Sequence, residues 1–303
     1  MHLRFTMHLP LDHRFRWVKC SAILALASCP SLVLAESVSA GTYVAAPAGT
    51  NLTLLYVGGG EADSYKPTSG PSLSQGTKLS MRTGMLRQLR FFDIGNTRAS
   101  IQLGLPFGHQ DVKLGGADVG SAGGMFDPYV GLAVWPLNDP VKKEYFGVQA
   151  VTYLPLASYD SDRAVNPSGN RFVYILQAGY SKASGPWQFD LVGDVAFYQK
   201  NNESGPLKST LKQDPTYALQ PWLSYKLTPK ATVSVGATRS WGGASTLDGV
   251  DTGRRTDSVR GRLGFAYWVT PKFQIYTELN RDFEVKGGYK FDYSGFLRLA
   301  WAY

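Results

Sequence analysis

YSGFLRLAWAY, residues 293–303, is the stretch on which the reading of this sequence turns. Successive side chains of a β-strand point to opposite faces. Tyr293, Gly295, Leu297, Leu299, Trp301 and Tyr303 therefore share one face, and Ser294, Arg298, Ala300 and Ala302 share the other. An alternating strand of this kind needs a partner along its whole length, because an unpaired edge invites association with other chains. The pattern predicts pairing with the first strand, near GTNLTLLYV (49–57), so that the sheet closes on itself and has no edge.

Upstream of this strand, alternation continues to dominate. After Glu36 no stretch keeps a helical period, and no apolar run approaches the ~18–20 residues of a transmembrane helix. Twelve strands are predicted near 50–57, 78–92, 97–105, 125–135, 145–156, 170–182, 187–199, 215–227, 231–241, 257–269, 273–283 and 292–303. Most approach the ~9–11 residues that a tilted strand needs to cross a bilayer.

The connections alternate in length. Short turns fall at 93–96, 136–144, 182–186, 227–230 and 270–272, built from the Gly, Pro, Asn and Asp chemistry of tight turns. Longer polar, Gly-rich loops fall at 58–77, 106–124, 157–169, 200–214, 242–256 and 284–291. Short turns on one rim and long loops on the other are the signature of an antiparallel outer-membrane β-barrel. The expected fold is all-β, a transmembrane barrel over 50–303, with both termini on the periplasmic side.

Charge assigns the faces. In the tenth predicted strand Val259, Leu263, Phe265, Tyr267 and Val269 alternate with Ser258, Arg260, Arg262, Gly264 and Ala266. An arginine facing lipid at mid-depth costs about 2–4 kcal/mol, which puts the arginine face inside. The same sorting predicts Arg98, Gln102, Arg171, Asp190, Asp194, Arg260, Arg262, Glu278 and Arg298 as lumen-lining. Charges of opposite sign among them can also simply pair and fill a narrow barrel. KLSMRTGMLRQLRFF (78–92) loses step near Met85 and Leu86, so placing Arg87 calls for a bulge. Trp135, Tyr153, Trp187, Trp222, Tyr225, Trp241, Trp268 and Trp301 lie toward strand ends and are expected to form interfacial girdles against outer-membrane lipid and lipopolysaccharide. Leu299, Trp301 and Tyr303 form the C-terminal strand signal through which the barrel-assembly machinery would engage the chain. Outer-membrane barrels resemble it there, with Tyr303 in place of their usual Phe.

The N-terminus is consistent with export. Arg14, Arg16 and Lys19 precede the apolar run CSAILALASCPSLVLA (20–35), the order of a secretory signal peptide over 1–35 with cleavage near Ala35. LASC (26–29) offers a lipoprotein cut at Cys29 as the competing site, although more apolar residues follow it. Cleavage near Ala35 leaves 36–49 as a periplasmic N-terminal segment, long enough to enter the lumen instead. It removes Arg4, Arg14, Arg16, Lys19 and Asp12, bringing the formal charge from +8 to +5, a mild excess that argues against nucleic acid as a partner. Cys20 and Cys29 leave with the leader, which excludes disulfides and cysteine-based metal sites, and no cofactor is expected.

His109, in PFGHQDVKLGG (106–116), is then the only histidine, expected in a loop. An outer-membrane lipase or protease would have to use it. Asp160, Asp162, Asn166 and Asn170 in YDSDRAVNPSGN (159–170) are oxygen ligands without the spacing of a calcium loop, and turn chemistry accounts for them.

Several stretches carry a resemblance. APAGTNLTLLY (46–56), GLPFG (104–108), MFDPYVGLAVWPL (125–137), VTYLPLASYDSDRAVNPSGNRFVYILQAGYS (151–181) and DPTYALQPWLSYKLTPKATVSVGATRSWGG (214–243) resemble the meta-pathway phenol-degradation family of outer-membrane transporters. PLASY (155–159) departs from that family's Pro-x-Gly-x-Tyr by Ala157. The resemblance implies a channel or transporter for passive uptake of small aromatic or hydrophobic compounds, and no catalytic residue. The alternative is a surface-binding or structural barrel with a filled lumen.

Overall fold

The computed structural model describes residues 38–303, so the leader and its cleavage site lie outside the described residues. Twelve antiparallel strands form the wall: β1 (Asn51–Ala62), β2 (Lys78–Ile94), β3 (Thr97–Leu114), β4 (Tyr129–Asp139), β5 (Glu144–Tyr153), β6 (Val173–Ser184), β7 (Trp187–Tyr198), β8 (Thr216–Lys226), β9 (Ala231–Gly242), β10 (Thr256–Thr270), β11 (Phe273–Lys286) and β12 (Tyr293–Ala302). Each pairs with its neighbours in sequence, and β12 pairs with β1 from Leu52 opposite Ala302 to Glu61 opposite Tyr293. Asn51 and Tyr303 exchange backbone hydrogen bonds at 2.9 and 3.0 Å. The terminal strand is therefore the closing strand, and the barrel wall has no edge.

β2 and β3, at 17 and 18 residues, outrun the bilayer span, and their excess lies at the long-loop rim. The loop expected at 106–124 is instead wall: β3 continues to Leu114 and pairs there with a further strand, Ala117–Met125. His109 consequently sits in β3 rather than in a loop, because Gly115 and Gly116, with φ of 58° and 86°, place the turn after it. β2 keeps one register with β1 throughout, with Leu54 opposite Arg87. No bulge is needed, since odd-numbered residues from Leu79 to Phe91 face inward and Arg87 is one of them.

Four of the expected long loops, 58–77, 200–214, 242–256 and 284–291, carry their own structure. Asn201–Ser204, Ser209–Gln213, Ser245–Leu247 and Val250–Asp251 form a four-stranded sheet, and Tyr65–Lys66 pairs with Gly288–Tyr289. Together they roof the long-loop rim.

The wall follows one rule of polarity. Leu55, Val57, Ile101, Leu103, Leu132, Leu176, Val235, Leu263 and Leu279 are exposed on the outside, while Gln102, Asp190, Asp194, Gln220, Arg262 and Glu278 are buried within. A continuous exposed apolar belt is far larger than the few hundred Å² a soluble monomer tolerates. It is the surface that lipid covers.

Candidate lumen and its N-terminal insert

The segment at 38–46 enters the barrel from the short-turn rim. Val38 N–H donates to Gln220 Oε1 at 3.1 Å, and its carbonyl accepts from Trp222 Nε1 at 2.9 Å. Gly41 N–H donates to Asp190 Oδ2 at 3.1 Å. Tyr43 donates its hydroxyl to Gln177 Oε1 at 2.9 Å, while its carbonyl accepts from Trp135 Nε1 at 3.0 Å. The Arg98 guanidinium donates to the Ala46 carbonyl. Strands β7, β8, β6, β4 and β3 thus all hold the insert.

Glycines make the space for it. Gly147 in β5 and Gly179 in β6 are paired across the sheet, and a Cβ at Gly179 would lie 2.1 Å from the Tyr43 ring. Residues 38–46, part of the segment expected at 36–49 in the periplasm or in the lumen, lie among the inward side chains of the wall. Residues 38–46 fill the lumen because the wall offers matched donors, acceptors and a ring-sized gap.

Above the insert lies a buried polar layer. Arg262 donates to Glu278 Oε1 from Nε at 3.0 Å and from Nη2 at 2.8 Å, and both side chains are fully buried. Its Nη1 donates to Gln220 Oε1 at 3.0 Å, and its guanidinium lies 4.4 Å from the Trp222 ring. Tyr276 donates to Glu278 Oε2 at 2.9 Å, and Gln220 donates to Asp194 Oδ2 at 2.9 Å. Across the lumen Arg87 donates to Gln102, Gln102 to Gln149 at 3.1 Å, and Gln149 to Gln177 at 2.7 Å. This amide ladder reaches the acceptor of the Tyr43 hydroxyl.

The predicted lumen set divides by height. Arg98 and Asp190 contact the insert, and Gln102, Asp194, Arg262 and Glu278 form the buried layer. Arg298 donates to Gln274 at 2.8 Å and lies 4.6 Å from the Tyr276 ring. Arg260 is held by Asp282 at 2.6 Å, and Arg171, just before β6, donates to Gln213 beneath the roof sheet. Arg87, which the alternation alone left unplaced, belongs with them, as do Gln149, Gln177, Gln220 and Tyr276, which were not among the expected lumen residues.

Three aromatics assigned to the girdle point inward instead. Trp135, Tyr153 and Trp222 are buried, with Trp222 at 1% exposure. Trp222 stands opposite Gly236 and Tyr129, the ring partner of Tyr153, stands opposite Gly104. A Cβ at either glycine would meet its ring within 2.5 Å. An aromatic facing a cross-strand glycine was the available signal, since the ring covers the space a side chain would take. Trp187, Tyr225, Trp241, Trp268 and Trp301 do face outward. Trp187 and Tyr225 meet edge-on at 4.7 Å near the short turns.

At the long-loop rim, Asp127 organises the loop between β5 and β6. Its carboxylate accepts from Ala157 N–H at 3.1 Å, Ser168 Oγ at 3.0 Å and Gly169 N–H at 2.9 Å. Burial pushes its carboxyl above the ordinary carboxylate range, and these three donors act against that shift. Asp127→Asn replaces an oxygen acceptor by a donor amide, removing part of this set at about 1–3 kcal/mol. The expected outcome is faster proteolytic nicking within 156–169 while the barrel stays folded, checked by limited proteolysis and mass analysis.

The remaining rim candidates are satisfied locally. Asn166 accepts from Asp160 N–H at 2.9 Å, Asp160 accepts from Asp162 N–H at 2.9 Å, and Asn170 donates to Asn201 at 3.1 Å. His109 Nε2 lies 3.1 Å from Asp111 Oδ1, both exposed. Behind the rim, a cavity of about 530 Å³ separates the roof from the buried layer.

This geometry, a closed twelve-stranded wall around an inserted N-terminal segment, can be set against known proteins. The family described as "Putative MetA-pathway of phenol degradation" matches residues 62–299. The chain belongs to this family. A crystal structure of the COG4313 outer membrane channel from Pseudomonas putida F1 is similar, with a TM-score of 0.83 and 28% identity. The likeness covers 88% of this chain and 100% of that one. The β domain of the Bordetella autotransporter BrkA shares the barrel architecture alone, at TM-score 0.50 and 12% identity over 85% of this chain and 100% of that one. No curated protein sequence matches. Within the phenol-degradation family match, MFDPYVG and the 151–181 stretch meet at Asp127, which joins the two through its three hydrogen bonds. The chain is a β-barrel of the outer membrane.

Proposed function

We propose that the protein is an outer-membrane channel for passive uptake of small aromatic or other hydrophobic compounds, closed at rest by its own N-terminal segment. The observation that carries the proposal is the insert at 38–46, held by hydrogen bonds to five strands, with a cavity under the roof on the far side of the buried polar layer. A wall filled for stability alone would gain more from packed side chains than from a backbone segment whose polar groups each need a partner. In this reading the short turns and both termini are periplasmic, and the long loops and their roof face the medium. The outward Trp187, Tyr225, Trp241, Trp268 and Trp301 seat the barrel at the lipid interfaces, and Leu299, Trp301 and Tyr303 present the terminal strand to the assembly machinery. Buried aromatics and amides along the interior, including Tyr129, Tyr153 and Tyr276, give an aromatic solute both ring surface and hydrogen bonds.

The fully buried Arg262–Glu278 pair favours a second reading, a filled structural barrel with no transport. Uptake of a labelled phenol into cells lacking their general porins separates the two. Several-fold faster uptake with the chain than without it, and no comparable gain for a sugar of similar mass, is the expected result. Equal rates for phenol would leave the filled barrel standing.

A further inference from the structure

The cavity under the roof has an uneven charge balance. Arg163, Arg171, Arg254, Arg255, Arg260 and Lys286 line it, against two acids, Asp257 and Asp282. Both acids are engaged: Asp282 holds Arg260 at 2.6 Å, and Asp257 holds Arg239 at 2.6 Å with Lys286 at 3.9 Å. Arg171 is 7% exposed, forms no ion pair among the described residues, and its Nη1 has no hydrogen-bond partner. Its other contacts are neutral: Nη2 donates to Gln213 Oε1, and the guanidinium lies 4.8 Å from the Tyr198 ring. Burial, with Arg254 nearby, lowers the guanidinium to about 10, so it stays charged at neutral pH. A buried cation without a counter-ion is unfavourable unless an anion arrives from outside.

The neighbouring wall is apolar at a defined distance. Ser209, Leu211 and Gln213 share one face of the roof sheet and line the cavity, and Leu211 pairs with Leu247, which also lines it. Leu211 and Gln213 are two residues apart on a strand, about 7 Å. With about 3 Å from carboxylate carbon to ring centre and about 4 Å of van der Waals contact beyond it, a carboxylate at the Gln213 end, marked by Arg171, sets its ring against Leu211.

We propose that this cavity binds an aromatic carboxylate, its carboxylate on Arg171 and its ring against Leu211 and Leu247. The proposal deepens the channel reading and rests on it, naming the solute class that the outer vestibule selects. The test is calorimetric binding to the full chain in detergent, with benzoate, benzyl alcohol and acetate as probes. Benzoate is expected to bind at least on the order of tenfold tighter than either of the others, as one charge-assisted contact predicts. Arg171→Gln should bring benzoate down to the level of benzyl alcohol and leave benzyl alcohol unchanged. Leu211→Glu, half-buried on the roof sheet, is a second variant that leaves Arg171 in place and should abolish benzoate binding selectively. Benzyl alcohol equal to benzoate, acetate equal to benzoate, or benzoate binding indifferent to both substitutions would overturn the site. Binding is measured without flux, so a barrel that binds benzoate but passes no solute sinks the transport reading alone. A barrel that passes phenols without preferring benzoate sinks only this site.

Discussion

A chain lacking residues 38–46 should conduct ions across a planar bilayer, where the full chain is expected to stay closed or nearly so. The deletion withdraws the Tyr43 ring from the gap over Gly147 and Gly179 and frees Gln177, Asp190, Gln220, Trp135 and Trp222 of their insert partners. Polar groups left bare in a lumen recruit water, since leaving them unsatisfied is costly. A hydrated twelve-stranded barrel lies between the filled eight-stranded and open sixteen-stranded cases, so current should rise on the order of tenfold at equal voltage. Gly179→Leu reaches the same end without shortening the chain, because a Cβ alone already falls 2.1 Å from the Tyr43 ring. Heat-modifiable migration on a gel confirms that both variants are closed barrels. If both fold and both stay silent, the seal lies in the roof and not in the insert.

The second large effect is expected in stability. Glu278→Leu leaves Arg262 fully buried with no anion, and removing one partner of such a pair costs about 3–5 kcal/mol. Arg262→Met similarly strands Glu278, whose Oε2 retains only Tyr276. The double variant Arg262→Met/Glu278→Leu removes both charges and should recover most of the loss, because apolar replacement of a whole buried pair is often neutral. Urea unfolding of the refolded barrel in lipid vesicles, followed by tryptophan fluorescence, measures all three. Trp222 lies against the Arg262 guanidinium, so its emission should shift in the Arg262 variants. A single variant that costs under about 1 kcal/mol would mean that water already reaches this layer, as surface pairs contribute only that much.

What the sequence made legible was the wall. Alternation with period two, a sign rule for arginine and the rhythm of turn lengths located all twelve strands, because each is a local pattern repeated along the chain. The closing pair was legible for the same reason, since YSGFLRLAWAY and GTNLTLLYV both show a one-sided face. The interior was harder. Whether an aromatic at a strand end faces lipid or lumen depends on what stands across from it, and for Trp222 that is Gly236, fourteen residues on in another strand. His109 looked like a loop residue because glycines surround it, yet only Gly115 and Gly116 turn the chain. The insert was least legible of all: VSAGTYVAA has no strand pattern, and its conformation is dictated by five separate strands rather than by itself.

That dependence has a thermodynamic consequence. Residues 47–50 are all that link the insert to β1, so segment 38–46 acts as a ligand tethered to its own receptor. A short tether holds such a ligand at an effective concentration on the order of millimolar. Closure is then insensitive to dilution of the protein, and a solute competes with a fixed local concentration rather than with a partner that can diffuse away. In the proposed channel an insert whose dissociation constant lies below that level keeps the barrel shut on average, while each individual contact remains weak enough to be displaced.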